Sequence, residues 1–531
     1  MLTRRAMLAA SAAVVTAPAA PFAARAATPA GVAVMAKHID DIISLDPAEA
    51  YEFSGNEVSG NVYRRLVGPD PTDNTKVAGD LAEKWDISAD GKEFTFHLVK
   101  DAFFPSGKAL TAHDAAFSLQ RVVMLNKTPG FILTQFGFTK DNVEKLIRAT
   151  DDHTLQMSLP VAQAPTFVLF CLSANVGSVV EKAVVLANQA GGDLGNAWLK
   201  SHSAGAGPYQ LSQWVASDHV TIDANPRSGM PVNTKRVTIR HIADPSAQFL
   251  MLQKGDADIV RDLTPDQLKT MKASDGTTVT SVGQGSSVYI AMNMIKPEFQ
   301  KPQVLQAMKW AIDYDAIATN ITPDTYVVSQ SILPNGLPGA LTDKPFKKDV
   351  AKARALLAEA GYPDGFSVKM DTAAISPYVD IAQAVQADLA AIGIKVELVS
   401  GEQKQVITKM RARTHEMAIL YWGTDYFDPN SNAQAFCANP DDSDASKLRI
   451  LAWRNHFKDP QLTQMVEDAA KELNGETRIG MYQDIQKLAR ERAPFIILLQ
   501  QISTAVMAKG VSGFVIGPLP DYTKYAAIKK A

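Results

Sequence analysis

The sequence predicts an α/β protein whose central unit is a twisted sheet with parallel pairing. Three observations predict it. Strand-like and helix-like stretches alternate between residues 366 and 422. The helices among them start and stop at residues with the right capping chemistry. The 531 residues run on without an internal repeat or a low-complexity linker beyond the N-terminal stretch, so the lobes of so long a chain are built from interleaved segments, not from beads on a string. At about 150 residues per domain, the length accommodates about three cores.

Taking the elements in order, Ser88-Ala-Asp-Gly91 is a turn signal between residues 81–87 and the stretch Glu93-Phe-Thr-Phe-His-Leu-Val99. There Phe94, Phe96 and Leu98 alternate with polar residues, the pattern of a half-buried strand. Thr111-Ala-His-Asp114 fits a capping start to a helix through Arg121. Asp349 caps a helix over residues 350–360, which Gly361 closes, and Tyr362-Pro-Asp-Gly365 turns the chain into the next strand. Residues 366–372 read as that strand. Ser376 is an N-cap with Pro377 at the first helical position. Ile381, Val385, Leu389 and Ile392 form one apolar stripe, and Gly393 ends the helix. Residues 394–399 alternate as a strand, residues 402–413 are a polar helix, and residues 416–422 are an apolar strand. Strand–helix–strand–helix–strand implies parallel pairing through right-handed crossovers. Asp459-Pro460 opens a helix to about Leu473, a second runs to Arg492, and residues 495–499 form a buried strand.

The N-terminus reads MLTRRAMLAASAAVVTAPAAPFAARAA. Charged Arg4 and Arg5, an uncharged Ala-, Val- and Leu-rich stretch and the small residues of Ala24-Arg25-Ala26 follow the three-part logic of an export signal over residues 1–26. The Arg pair resembles a twin-arginine address, with Met where Phe is usual. The stretch is short and broken by Pro18 and Pro21, unlike a span of about 20 strongly apolar residues. No Cys lies near the cleavage site for a lipid anchor. The whole chain carries a formal charge of −3, and loss of a signal holding three arginines and no acid leaves it more acidic. A mildly acidic chain with no basic run argues against nucleic acid as a partner. Cys171 and Cys437 fall in segments assigned to different lobes, so two free buried thiols are expected. No HExxH, GxSxG or P-loop pattern is present, which points away from catalysis and from a nucleotide or metal cofactor.

Several stretches resemble extracellular solute-binding protein family 5, the family of oligopeptide-, dipeptide- and nickel-binding proteins. They are Leu81-Ala-Glu-Lys-Trp85 with Asp90-Gly91 and the Phe-Thr-Phe-His-Leu strand, Leu110-Thr-Ala-His-Asp114 with Phe117-Ser118 and Arg121, and Ala206-Gly-Pro-Tyr209 with Trp214 and Asn225-Pro226. Asp244-Pro245-Ser246 and Gly255-Asp-Ala-Asp-Ile259 follow, then Ala307-Met-Lys-Trp-Ala-Ile-Asp313, the run from Ala353 through Gly361-Tyr-Pro-Asp-Gly-Phe366, and residues 510–514. They keep the family's order over nearly the whole chain. Phe104-Pro-Ser-Gly107 and Trp453-Arg-Asn-His-Phe457 depart from it.

The resemblance implies a bilobed, type II periplasmic-binding-protein-like fold. Lobe I would combine residues 27–55, 200–288 and 503–531, with an inserted subdomain at 56–199. Lobe II would be 289–502. Crossings near 287–290 and 501–503 would form a two-segment hinge. The implied role is the periplasmic, monomeric binding component of an ABC importer, handing a peptide or amino-acid-derived ligand to permease subunits. A periplasmic hydrolase, a peptide-holding chaperone, and binders of a glycoside or metal chelate are the alternatives.

Tyr421-Trp-Gly-Thr-Asp-Tyr-Phe-Asp-Pro429 leaves the end of a predicted parallel strand, where ligands sit in open α/β sheets. By the resemblance, Asp425 is the acid that takes a peptide's ammonium; a turn cap is its other reading. Trp422, Tyr426, Phe427 and Trp453 are candidate aromatic walls or core residues. Tyr51 and Glu52 follow the first strand, where by the resemblance the opposite lobe meets ligand; loop decoration is their other reading. Arg454 can take a carboxylate bidentately or lie on the solvated surface. His415 and His456 raise a metal reading without ligand-like spacing.

Overall fold

The computed structural model describes residues 28–531 except Ala30 and Asp275, so the export signal expected at 1–26 lies outside the described residues. Eleven strands form one mixed sheet. At one end Ser367–Ala373 pairs in parallel with Lys395–Gly401 and with Met417–Gly423. At the other, Val32–Lys37 pairs in parallel with Arg236–His241 and with Ile259–Val260. Two long antiparallel strands, Thr278–Met292 and Phe495–Met507, join the ends. Their register breaks between Gly283 and Ser287 and shifts again between Val288 and Tyr289: residues before the break face 502–507, and residues after it face 495–500. A separate four-stranded sheet contains Ala82–Ile87, Glu93–Leu98, Thr154–Ser158 and Ile147–Asp151.

The apolar side chains divide accordingly. Phe94, Phe96 and Leu98 are buried in a cluster drawn mainly from residues 48–179, each contributing about 1.5–3 kcal/mol by leaving water. A second cluster gathers residues from 33–63, 180–259 and 505–528. Two more fill the stretch from Val288 to Leu499, one of them reaching Phe170, Leu519 and Tyr522. Among the described residues no helix is long and apolar enough to cross a membrane.

The alternating unit folds as its periodicity dictates. Ile381, Val385 and Leu389 are buried on the helix Tyr378–Ala390, and Gly393 takes φ +90° after it. Asp349 accepts from the Lys352 N–H to start Val350–Glu359. Three details differ. Pro377, not Ser376, is the N-cap; one residue farther from the first turn, Ser376 donates to the Asp380 carboxylate at 2.7 Å instead. The helix capped by Thr111 runs on to Leu125, because Val122 and Val123 continue its buried face. The strand expected at 495–499 extends to Met507, since its partner Thr278–Met292 is long enough to pair with all of it. Cys171 and Cys437 are buried and free.

Candidate functional site

Strand Met417–Gly423 ends at Gly423, and the next residues are fixed by the chain around them. The Thr424 N–H donates to the Gly285 carbonyl at 2.6 Å, beside the register break, and its hydroxyl donates to Asn432 at 2.9 Å. The Asp425 N–H donates to the Ser431 hydroxyl at 2.9 Å. Asp428 caps Pro429–Cys437 and forms a buried bidentate pair with Arg478, both bonds 2.7 Å. The Asp425 carboxylate is thereby held on a rigid loop and turned into a cavity of about 370 Å³.

The cavity lies between segments distant in sequence. Tyr51, Glu52, Phe53 and Asn56 come from one side, and Met410, Arg411, Trp422, Asp425 and Arg454 from the other. Tyr51 bridges the two: its hydroxyl donates to Asp425 Oδ1 at 2.5 Å, and its ring meets Phe131 edge-on at 6.4 Å. Phe53 reaches so close to Gly423 that a Cβ there would sit 2.9 Å from its ring, so glycine is what lets the two sides meet. Burial pushes the Asp425 carboxyl up to about 6, with the Tyr51 bond and the Arg454 charge pulling the other way. The residue keeps some accessible surface, but that surface faces the cavity, so loss of bulk water governs it. Burial and the Asp425 charge raise the Tyr51 phenol well above its usual range, which keeps it a donor.

Of the residues singled out from sequence, Tyr51, Glu52, Trp422, Asp425 and Arg454 line the cavity. Tyr426, Phe427 and Trp453 do not. Tyr426, 1 % exposed, packs 5.6 Å from the Phe167 ring inside the core of the 48–179 stretch. Phe427, 2 % exposed, lies between Phe170 and Tyr522. Trp453, 4 % exposed, donates its indole N–H to the Ser443 carbonyl and carries the Arg413 guanidinium on its face at 4.2 Å. These rings are occupied by the protein itself. His415 is buried with Nε2 against Asn455, and His456 contacts Asp442; neither lines the cavity. The metal-type cluster among the described residues, His38, Asp40 and His241, contributes no residue to the lining either.

Arg411, Met410, Tyr289 and Phe53 line the cavity unforeseen. Arg411 ends the polar helix Gln403–Arg411, whose buried side is only Val406 and Met410. A helix that polar, immediately before the strand leading to Asp425, was the available signal.

A model of the bacterial extracellular solute-binding proteins, family 5, matches residues 76–444. The chain is 28 % identical to the probable D,D-dipeptide-binding periplasmic protein DdpA of Escherichia coli, over 93 % of each chain. It is 26 % identical to the glutathione-binding protein GsiB of Pectobacterium atrosepticum, over 90 % of each. The solved periplasmic binding protein DppA of Helicobacter pylori, in complex with the peptide STSA, superposes with a TM-score of 0.77 at 23 % identity, covering 94 % of this chain and 98 % of that one. The fold is that of the type II periplasmic binding proteins.

Proposed function

The chain belongs to the bacterial extracellular solute-binding proteins of family 5, and on that premise we propose that it is the periplasmic binding component of an ABC importer. It captures a small peptide or amino-acid-derived ligand by recognition without reaction and delivers it to membrane permease subunits. Residues 1–26 direct its export. The observation that carries this reading is the Tyr51–Asp425 bond across the cavity. A carboxylate enclosed away from water needs a cation, because an unpaired buried charge costs several kcal/mol. A ligand ammonium supplies a charge-assisted hydrogen bond there. A cavity of about 370 Å³ sits at the small end of the usual range of about 300–1,000 Å³, which favours a short ligand. Relatives named for dipeptides and glutathione support the same chemistry.

In this reading residues 27–55, 200–288 and 503–531 form lobe I with 56–199 inserted, and 289–502 forms lobe II. The two turn about the register break in the paired long strands, a hinge closure. Small-angle scattering on monomeric protein stripped of ligand by unfolding and refolding tests it. Addition of Ala-Ala is expected to shrink the radius of gyration while the dipeptide is recovered intact by mass spectrometry. Cleaved dipeptide, or binding without compaction, overturns it.

A further inference from the structure

Outside the cavity, two imidazoles and a carboxylate converge. His38 and Asp40 follow the first strand, Val32–Lys37, and His241 ends the strand parallel to it, Arg236–His241, at the same edge of the sheet. One ligand-type atom from each of the three lies within 4.8 Å of the other two. His38 Nε2 is 2.7 Å from Asp40 Oδ1, and the two imidazole rings lie 5.3 Å apart, tilted by 40°. His38 and Asp40 are exposed and His241 is half-buried, so an ion has a path in from solvent. None of the three lines the cavity.

The other histidine–acid contacts are simpler. His97 meets Asp86, His113 meets Asp152, His219 meets Asp218 and His456 meets Asp442, each as one ring against one acid. Only here, among the described residues, do two rings share a carboxylate at distances an ion could bridge. The backbone beneath them is tied down. The His38 N–H donates to the Asp262 carboxylate at 2.7 Å, the Ser54 N–H to Asp41 at 3.0 Å, and the His241 N–H to the Asp218 carbonyl at 2.7 Å. The basic residues next in the chain to these, Lys37 and Arg261, are both spent on Glu57 and do not compete for Asp40. Binding an ion costs one bond, from the Ile39 N–H to His241 Nδ1 at 3.2 Å, the long end of the usual range. Metal–donor bonds of about 2.0–2.2 Å set the donors of one ion about 3–4 Å apart, a spacing that side-chain rotation reaches from here. Two imidazoles and one carboxylate make a three-ligand zinc set with a fourth position left for water. Magnesium and calcium, which call for oxygen ligands, are poorly served by it.

We propose that His38, Asp40 and His241 form a binding site for a divalent transition ion of zinc's chemistry, separate from the ligand cavity. The ion would join the ends of two parallel strands and brace the loop that leads on to Tyr51. The test is calorimetry with zinc chloride, and with magnesium chloride for comparison, on full-length mature protein without an affinity tag and stripped with EDTA. Zinc is expected to bind one-to-one, at least a hundredfold tighter than magnesium, and to raise the thermal midpoint. His38→Gln, Asp40→Asn and His241→Gln should each weaken zinc at least tenfold, while Asp425→Asn, at the cavity, leaves it unchanged. In crystals grown with zinc, anomalous scattering at the zinc edge should peak between the three side chains, a readout that needs no variant to fold. No zinc binding, or magnesium bound as tightly, overturns the site. Zinc affinity that survives the three substitutions, or is lost in Asp425→Asn alone, or an anomalous peak found only elsewhere, overturns it by placing the metal at other residues.

Discussion

Lowering the pH from 7 to 5 should weaken the capture of an amine-bearing ligand about tenfold. In the proposed function the ammonium binds the ionised form of Asp425, and burial pushes that carboxyl up to about 6. At pH 7 most of the population is ionised; at pH 5, one unit below the midpoint, about a tenth is. Affinity is therefore present above pH 6 and lost as pH falls through it, by about 1.4 kcal/mol per unit once the carboxyl is mostly protonated. An ordinary Asp, titrating near 3.9, would leave affinity flat over the same range. Calorimetry with Ala-Ala at pH 5, 6, 7 and 8 reads the profile directly. Asp425→Asn is the control: it should weaken binding at pH 8 by about 1.5–3 kcal/mol, the scale of a hydrogen bond to a charged group, and show no inflection near 6. A wild-type affinity that is the same at pH 5 and pH 7, or an Asn variant that keeps the inflection, refutes the assignment of Asp425 as the ammonium site.

Three further outcomes follow from other contacts. Tyr51→Phe removes the donor to the ionised carboxylate, so the inflection should move above 6 and affinity at pH 7 should drop by about 1 kcal/mol; an inflection that stays or moves down contradicts this. Arg478→Met leaves Asp428 buried without its bidentate partner and should cost about 3–5 kcal/mol in urea unfolding, whereas a cost below about 1 kcal/mol would show the pair to be dispensable. Lys309 is wholly enclosed, and burial, with Arg490 nearby, brings its ammonium down to about 7. Because the unfolded chain binds that proton up to about pH 10 and the folded one does not, wild-type stability relative to Lys309→Met should rise by about 1.4 kcal/mol per pH unit between 7 and 10; a constant difference refutes the shift.

How much of this was legible in the sequence depends on how local each signal is. The unit from Ser367 to Gly423 could be read because its stripe, its Gly393 stop and its alternating strands are set by neighbours a few residues away. That Asp425 lines the cavity could be read because the end of a parallel strand is a general position for a cleft. The aromatic residues beside it could not. Tyr426 and Phe427 are adjacent to Asp425, yet each ring is claimed by a helix more than 250 positions earlier, Pro165–Ser173, through Phe167 and Phe170. Nothing in the local pattern announces that helix as the partner. Trp453 is hidden by the Arg413 and Arg449 guanidiniums, contacts that only the folded backbone brings together. Arg411 was overlooked for the opposite reason: a polar residue at the end of a polar helix looks like solvent-facing decoration until the cavity beside it is known.

In the proposed function the same geometry links recognition to movement. Gly285 lies within the register break of the long strands, and there the chain leaves its strand partner and bonds instead to the loop that carries the acid. Its carbonyl accepts from Thr424, its N–H donates to the Pro518 carbonyl, and a Cβ at this position would lie 3.1 Å from Thr424 and 3.0 Å from Leu519. Glycine is thus the residue that allows the proposed hinge and the ligand loop to touch. A turn about the break must carry Thr424 with it, and Asp425 is the next residue. Tyr51 donates to Asp425 across the cavity, and in the proposed closure this bond forms as the halves come together. A ligand ammonium on Asp425 adds to an ionised carboxylate that Tyr51 also favours, so the guest and the closing lobe stabilise the same charge state. In the proposed function closure and capture are coupled through one carboxylate, and the test is whether Asp425→Asn loses both ligand affinity and ligand-induced compaction.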